Sequence, residues 1–158
     1  MTTLVVGASG ATGRLLVKQL LNRGLNVKVI VRSPDKLPED IRNHDNLCVI
    51  YASVLDLSDA EMALHVNGCD SVASCLGHNL NFKGIYGHPR MLVTEATRRL
   101  CSAIEANKPE KPVRFVLMNT AGNNNRDIPE RISFAQKCVI GLIRLLLPPQ
   151  LDNERAAD

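Results

Sequence analysis

Short apolar runs alternate with stretches of helical period along the 158-residue chain, the pattern of a protein built from βαβ units. Leu4-Val5-Val6 reads as a short buried strand. A helix is expected from about Ala11 to Arg23, with Ala11, Leu15, Leu16 and Leu20 on its apolar face and Gly24 as its stop. Val27 to Val31 is the second strand, followed by a loop that carries Pro34 and Pro38. Leu47 to Val54 is the third, with imperfect alternation. Ser58 is placed to cap a helix running to about Asn67, Glu61 completing a capping box. Ser71 to Leu76 forms the fourth strand, a helix spans roughly Arg90 to Ala106, and Val113 to Met118 forms the fifth strand. A very apolar helix is expected from about Ile132 to Leu147, stopped by Pro148-Pro149.

Five strands joined by helical crossovers predict one α/β domain over residues 1–158: an open, doubly wound parallel sheet in the order 3-2-1-4-5, with helices on both faces. The full fold of this kind has six strands. Asp152 to Asp158 reads as the opening of a helix, with Asp152 as N-cap, cut off mid-pattern. The C-terminal part of the fold, and with it much of a substrate pocket, is therefore expected to be missing, whether in a cut-down chain or a short natural form.

The first strand runs directly into Gly7-Ala8-Ser9-Gly10-Ala11-Thr12-Gly13, and the helix opens there. A strand, a glycine turn and a helix N-terminus in that order make an anion site from backbone N–H groups, with the helix dipole favouring negative charge. Gly7 makes the turn, Gly10 lets a phosphate approach the bare backbone, and Gly13 lets the helix pack on the strand. Ser9 and Thr12 add hydroxyl donors. The spacing G-x-x-G-x-x-G points to the pyrophosphate of a dinucleotide held on a Rossmann-type domain. The position that chooses between dinucleotides lies at the end of the second strand, where an acid holds the ribose hydroxyls of NAD. Here it is Arg32, followed by Ser33, with Lys36 nearby. A guanidinium grips a 2′-phosphate, so NADP(H) is the expected cofactor. Asp35 lies close behind, which keeps NAD(H) open.

Composition removes other classes. The formal charge is +3 with basic residues scattered, and aromatics are scarce at 3%; neither a cationic footprint nor a stacking platform for nucleic acid is present in the sequence. Five cysteines without a CxxC pair are neither a disulfide framework nor a metal set, and read as reduced core thiols of a cytoplasmic protein. No signal peptide is visible at the N-terminus. The apolar helix over 132–147 is shorter than the roughly 20 residues of a membrane span and is broken by Lys137 and Arg144. It is expected to pack on the sheet or against a second subunit, as a homodimer contact. His78 and His88 stand in the Gly77–Pro89 loop after the fourth strand, the end of such a sheet where ligands bind. His78 is a candidate proton donor near neutral pH.

Together Val5 to Gly13 (VVGASGATG), Val31 to Lys36 (VRSPDK), Leu55-Asp56-Leu57, Cys75-Leu76-Gly77 and Val116 to Gly122 (VLMNTAG) resemble the atypical short-chain dehydrogenase/reductase group, the NAD(P)H-binding proteins related to flavin and biliverdin reductases. The resemblance implies that Asp56 and Leu57 lie by the adenine, Leu76 and Gly77 by a ribose, and Met118, Asn119 and Thr120 toward the nicotinamide. Thr120 takes roughly the place of the group's catalytic serine. The Tyr-x-x-x-Lys pair usual in short-chain dehydrogenases is absent: only Tyr51 and Tyr86 are present, neither with lysine four residues on. The expected function is NADPH-dependent hydride transfer to a small-molecule acceptor resembling a flavin or quinone, a reaction that needs positioning more than a tyrosine acid. A non-catalytic NADP(H) sensor acting through a partner suits the missing pair equally.

Overall fold

The structure is a computed structural model, and it describes residues 1–77, 91–119, 133, 139, 141 and 148–157. Five strands, β1 (Thr2–Val6), β2 (Asn26–Val31), β3 (Leu47–Tyr51), β4 (Ser71–Ser74) and β5 (Arg114–Leu117), form one sheet in the order β3-β2-β1-β4-β5. All four pairings are parallel, Val5 facing Val29 on one side and Ala73 on the other. This is the Rossmann-type sheet that the sequence predicts. Helices α1 (Ala11–Asn22), α2 (Glu39–Arg42), α3 (Asp59–Val66), α4 (Leu92–Ala106) and α5 (Pro148–Ala156) are interspersed with the strands.

The chain divides into two compact units. One comprises Met1–Leu76 with Ala96–Met118, the other Gly77–Glu95 with Asn119–Asp158. In the first, strand residues alternate between two apolar layers, as the period of a pleated strand requires. Leu4, Val6, Ile30 and Val72 pack with Met62 and Val66 of α3 and Ala96, Leu100 and Ala103 of α4. Val5, Val27, Val29, Val31 and Ala73 pack with Val17 and Leu21 of α1 and Ile41 of α2. Burial on both faces explains why these strands read as apolar runs rather than as alternations.

Several boundaries differ from expectation. The buried stripe of α1 is Gly13, Val17 and Leu21, with Leu16 and Leu20 half-buried against it. Leu15 is 63% exposed, and Ala11 is exposed too. A hydropathy pattern gives a glycine no weight, yet Gly13 is where this helix comes closest to its neighbours. The helix does end at Gly24, whose φ is +70°: Leu25 N–H donates to the Leu20 carbonyl at 3.2 Å and Gly24 N–H to that of Leu21 at 2.8 Å, a Schellman closure. The capping box at α3 is present, Ser58 N–H donating to Glu61 Oε2 at 2.7 Å and Glu61 N–H to Ser58 Oγ at 3.3 Å. The Ser58 hydroxyl, donating to Glu61 Oε2 at 2.7 Å, and with it the Ser58 N–H hold the Glu61 carboxyl below the usual glutamate range.

Pro148 and Pro149, expected to stop a helix, open one, α5; proline fits a first helical turn, where its missing N–H is not needed. Asp152 therefore sits inside α5 and is not its N-cap. The apolar helix expected over 132–147 lies outside the described residues except for Ser133, Val139 and Gly141, all exposed. Among the described residues no helix is long and apolar enough to cross a membrane, and no cluster of three or more His, Cys, Asp or Glu is placed to hold a metal. Of the four described cysteines, Cys69 is buried, Cys75 and Cys101 are half-buried, and none is disulfide-bonded. Burial pushes all three thiols up. Cys48 is exposed, so the reading of the cysteines as core residues does not extend to it.

Candidate functional site

The parallel register carries the C-terminal ends of β1, β2, β3 and β4 to one edge of the sheet. Val6 lies beside Ile30 and Ser74, and Val31 beside Tyr51. The connections that leave this edge in the first unit hold twelve of the sequence candidates: Gly7, Ser9, Gly10, Ala11, Thr12 and Gly13; Arg32, Ser33 and Lys36; Asp56 and Leu57; and Leu76.

The glycine turn is built around the Gly7 peptide. Gly7 has φ +75°, and a Cβ there would lie 2.4 Å from the Cys75 carbonyl oxygen, so only glycine fits. A Cβ on Gly13 would lie 2.2 Å from the Gly7 oxygen. Gly13 thus lets α1 press on the turn itself rather than on the body of the strand. Gly10 N–H donates to the same Gly7 oxygen at 3.0 Å, and the Gly10 carbonyl accepts from Arg14 N–H at 3.0 Å as α1 begins.

Gly10 differs from the other two. Its φ of −75° suits any residue, and a Cβ there would meet only the Gly7 oxygen, at 3.3 Å. That contact is tight but asks only a few tenths of an ångström of one oxygen, far less than at Gly7 or Gly13, and Gly10 itself is exposed. No side chain caps α1, and its first turn holds no acid. Among the described residues no side chain accepts from the backbone N–H groups of Ala11, Thr12 and Gly13 that head the helix, where an anion is favoured by both hydrogen bonding and dipole. A bare, uncapped, outward-facing helix start fits a pyrophosphate.

At the end of β2, Arg32 is exposed and Ser33 half-buried. Lys36 is exposed in the 3₁₀ turn Pro34–Lys36. Among the described residues no carboxylate pairs with Arg32. Asp35, the acid that kept NAD(H) open in the sequence, is paired instead with Arg42 Nη1 at 3.3 Å. Among the described residues this edge therefore presents a guanidinium without a carboxylate partner, and the nearby acid is engaged by another cation.

The connection after β3 carries Asp56, exposed, and Leu57, half-buried. It is held from behind by a residue that sequence reasoning missed. Arg99 of α4 is 9% exposed, and its guanidinium donates to the carbonyls of Val54 at 2.9 Å, Leu55 at 2.8 Å and Leu57, and to Asp59 Oδ1 at 3.2 Å. The signal was available: Arg99 lies on the stripe of α4 that also holds Ala96, Leu100 and Ala103, where an arginine must find acceptors. Leu76 is half-buried at the end of β4 and packs on the α3–α4 layer.

Gly77 and Asn119 belong to the second unit. Among the described residues nothing lies within 4 Å of a Cβ placed on Gly77, and Asn119 is exposed, its Nδ2 donating to the Asn153 carbonyl at 3.4 Å. Within that unit Asp152, fully buried, serves α4. Its Oδ2 accepts from Val93 N–H at 2.8 Å and its Oδ1 from Thr94 N–H at 2.9 Å, while Thr94 Oγ1 donates to the Asp152 carbonyl at 2.9 Å. Asp152 is thus a cap, as the sequence suggested, but of a helix some 60 residues earlier. His78 and Thr120, the two candidates for chemistry, lie outside the described residues.

No curated protein sequence matches the chain. Among solved structures, the oxidoreductase YlbE from Lactococcus lactis is similar with a TM-score of 0.67 at 19% identity, over 99% of this chain and 61% of that one. A short-chain dehydrogenase/reductase from Veillonella parvula in complex with NADP gives 0.66 at 14% identity, over 98% of this chain and 61% of that one. The Bordetella bronchiseptica enzyme WbmH in complex with NAD+ gives 0.66 at 17%, over 98% and 50%. These likenesses show the shared fold, and this chain spans about three-fifths of the length of the first two. The match that extends to family covers residues 7–153, from the first glycine of the turn into α5, and by it the chain belongs to the NAD(P)H-binding family, with the Rossmann-type fold of short-chain dehydrogenase-like oxidoreductases.

Proposed function

We propose that the chain is the cofactor-holding part of an NADPH-dependent oxidoreductase whose acceptor is a planar, flavin- or quinone-like molecule. The observation that carries this reading is the pairing of an open glycine turn, where a Cβ on Gly10 would ask only a few tenths of an ångström of one backbone oxygen, with an exposed Arg32 at the end of β2 that no carboxylate among the described residues pairs. In this reading Gly7 and Gly13 shape the turn. The first N–H groups of α1, with Ser9 and Thr12, bind the pyrophosphate, and Arg32, Ser33 and Lys36 bind the 2′-phosphate. Asp56 and Leu57 lie against the adenine, Leu76 and Gly77 against ribose, and Asn119 toward the nicotinamide. Thr120 and His78 are the candidates for orienting the acceptor and donating a proton. When bound, the cofactor supplies the hydride, and the protein's part is to fix the distance and angle of approach. The sequence holds no Tyr-x-x-x-Lys pair, which favours an acceptor that needs no tyrosine acid.

The test is NADPH oxidation followed at 340 nm with FMN, a quinone and a simple ketone as acceptors. Turnover with the first two and none with the ketone supports the reading. Tight NADPH binding with no turnover on any acceptor replaces it with that of an NADP(H) sensor. Arg32→Ala is expected to weaken NADPH binding about 10- to 100-fold, the worth of a charge-assisted contact of roughly 1.5–3 kcal/mol, while NADH binding barely moves. Calorimetry with both cofactors checks this, and equal affinities for them in the unmodified protein would remove the 2′-phosphate from the reading.

A further inference from the structure

We infer that Arg99 is the positioning residue of the adenosine half of the cofactor site: without touching the cofactor, it sets the shape of the loop that carries Asp56 and Leu57. The inference rests on the reading of that loop as the adenine's neighbour, proposed above.

Residues 52–58 connect β3 to α3; only Ala52 N–H still reaches β2, donating to the Val31 carbonyl at 3.2 Å, so the backbone groups that follow must be satisfied another way. The loop meets part of that need itself. Asp56 N–H and Leu57 N–H both donate to the Ser53 carbonyl, at 3.0 and 3.3 Å, and Ser58 closes the start of α3 with Glu61. Among the groups still to be met are the carbonyls of Val54, Leu55 and Leu57, and Val54 is buried. Carbonyls cannot bond to one another, and a buried one without a donor costs about 1–3 kcal/mol.

One guanidinium meets all three. Nη1 spans Val54 and Leu55, and Nη2 takes Leu57 and reaches Asp59 Oδ1, the first residue of α3. The planar fork of five N–H donors fits this task, and a lysine ammonium, with three donors at one point, does not. The Asp59 carboxylate is 93% exposed and adds little, so the carbonyl bonds fix the geometry. With its carbonyls drawn inward, the loop leaves the Asp56 side chain exposed on its other side. Arg99 is reached from the loop across 42 to 45 residues of sequence, so the shape of the loop depends on α4 being seated on the sheet.

The test separates the two halves of the cofactor. Binding of adenosine 2′,5′-bisphosphate and of reduced nicotinamide mononucleotide is measured separately for the unmodified protein, Arg99→Lys, Arg99→Gln and Asp56→Ala. Hydrogen exchange of the 53–58 amides is followed alongside. Both Arg99 variants are expected to bind the bisphosphate about tenfold more weakly, the equivalent of one lost net contact, and to exchange those amides faster. Their affinity for the mononucleotide should stay within about twofold. A bisphosphate affinity unchanged in the Arg99 variants, or an equal loss for both fragments, overturns the proposal. If Asp56→Ala alone weakens the bisphosphate, the role of Arg99 falls and the adenine reading stands. If Asp56→Ala also binds normally, the adenine reading falls and the proposal with it. Should neither Arg99 variant fold, exchange in the unmodified protein decides: bisphosphate must slow the amides of residues 54–57, and exchange that does not respond overturns the proposal.

Discussion

Gly10→Val is expected to give a folded domain that no longer holds NADPH, with affinity down at least a hundredfold, roughly 3 kcal/mol. The expectation follows from the different duties of the three glycines. At Gly10 the backbone is in a region open to any residue and a Cβ meets a single carbonyl oxygen at 3.3 Å. A few tenths of an ångström of relaxation accommodate it, so the fold survives. The added methyl groups then stand over the uncapped start of α1, in the space a pyrophosphate needs. Gly13→Ala should do the opposite. Its Cβ would be 2.2 Å from the Gly7 oxygen and 2.9 Å from Ala8 Cα, both backbone atoms, and overpacking of this kind costs upward of about 3 kcal/mol. Circular dichroism and calorimetry on the two variants distinguish them. Normal NADPH affinity in folded Gly10→Val would falsify the phosphate role and leave the turn a structural βα connection.

Asp152→Ala is the second large effect, and it falls on stability. Losing this carboxylate strips the N–H groups of Val93 and Thr94 of their acceptor at a site where Asp152 itself has no exposure. A lost helix cap costs about 0.5–2 kcal/mol, and because the cap here leaves two N–H groups without a partner at a buried site, at about 1–3 each, the loss is expected at about 2 kcal/mol or more, a large part of a typical net stability of roughly 5–15. Asp152→Asn keeps one of the two acceptor oxygens, so one amide stays satisfied while the other faces an NH2 donor, and it should lose less than alanine but not restore the cap. Denaturant melts of both variants check the order. An alanine variant that melts with the unmodified protein would mean that water or the neighbouring backbone replaces the cap without loss.

The same residues explain what could be read from the sequence. The strands and their order were legible because a parallel sheet covered on both faces demands apolar runs, and because Val5 to Gly13 joins strand, turn and helix in one unbroken motif. The glycine turn was legible for a related reason: its requirements are local, all within seven residues, apart from the Cys75 carbonyl. Features that depend on distant partners were not legible. The third strand stops at Tyr51 rather than Val54 because its partner β2 ends at Val31, opposite Tyr51, and the Val54 and Leu55 carbonyls beyond are taken by Arg99, far along the chain. Asp152 looked like a local cap because the rule for caps is written for neighbours, and its partners are on another helix. The stripe of α1 was misplaced because close approach at Gly13 leaves no trace in hydropathy.

The position of β1 at the middle of the sheet also orders events in time. Thr3 pairs with Val27 on one side but with Ser71 on the other, and the second partner lies 68 residues away. At a synthesis rate of about 5–20 residues per second, β1 waits roughly 3–14 s for β4 to be made. During that interval one of its edges, flanked by Val5 and Val6, is an open template for other chains. The Cys75 carbonyl, against which Gly7 packs, is lacking for as long. The segment of the growing chain most exposed to misassociation is therefore the one that carries the glycine turn, and NADPH has no finished seat to bind until β4 has docked beside it.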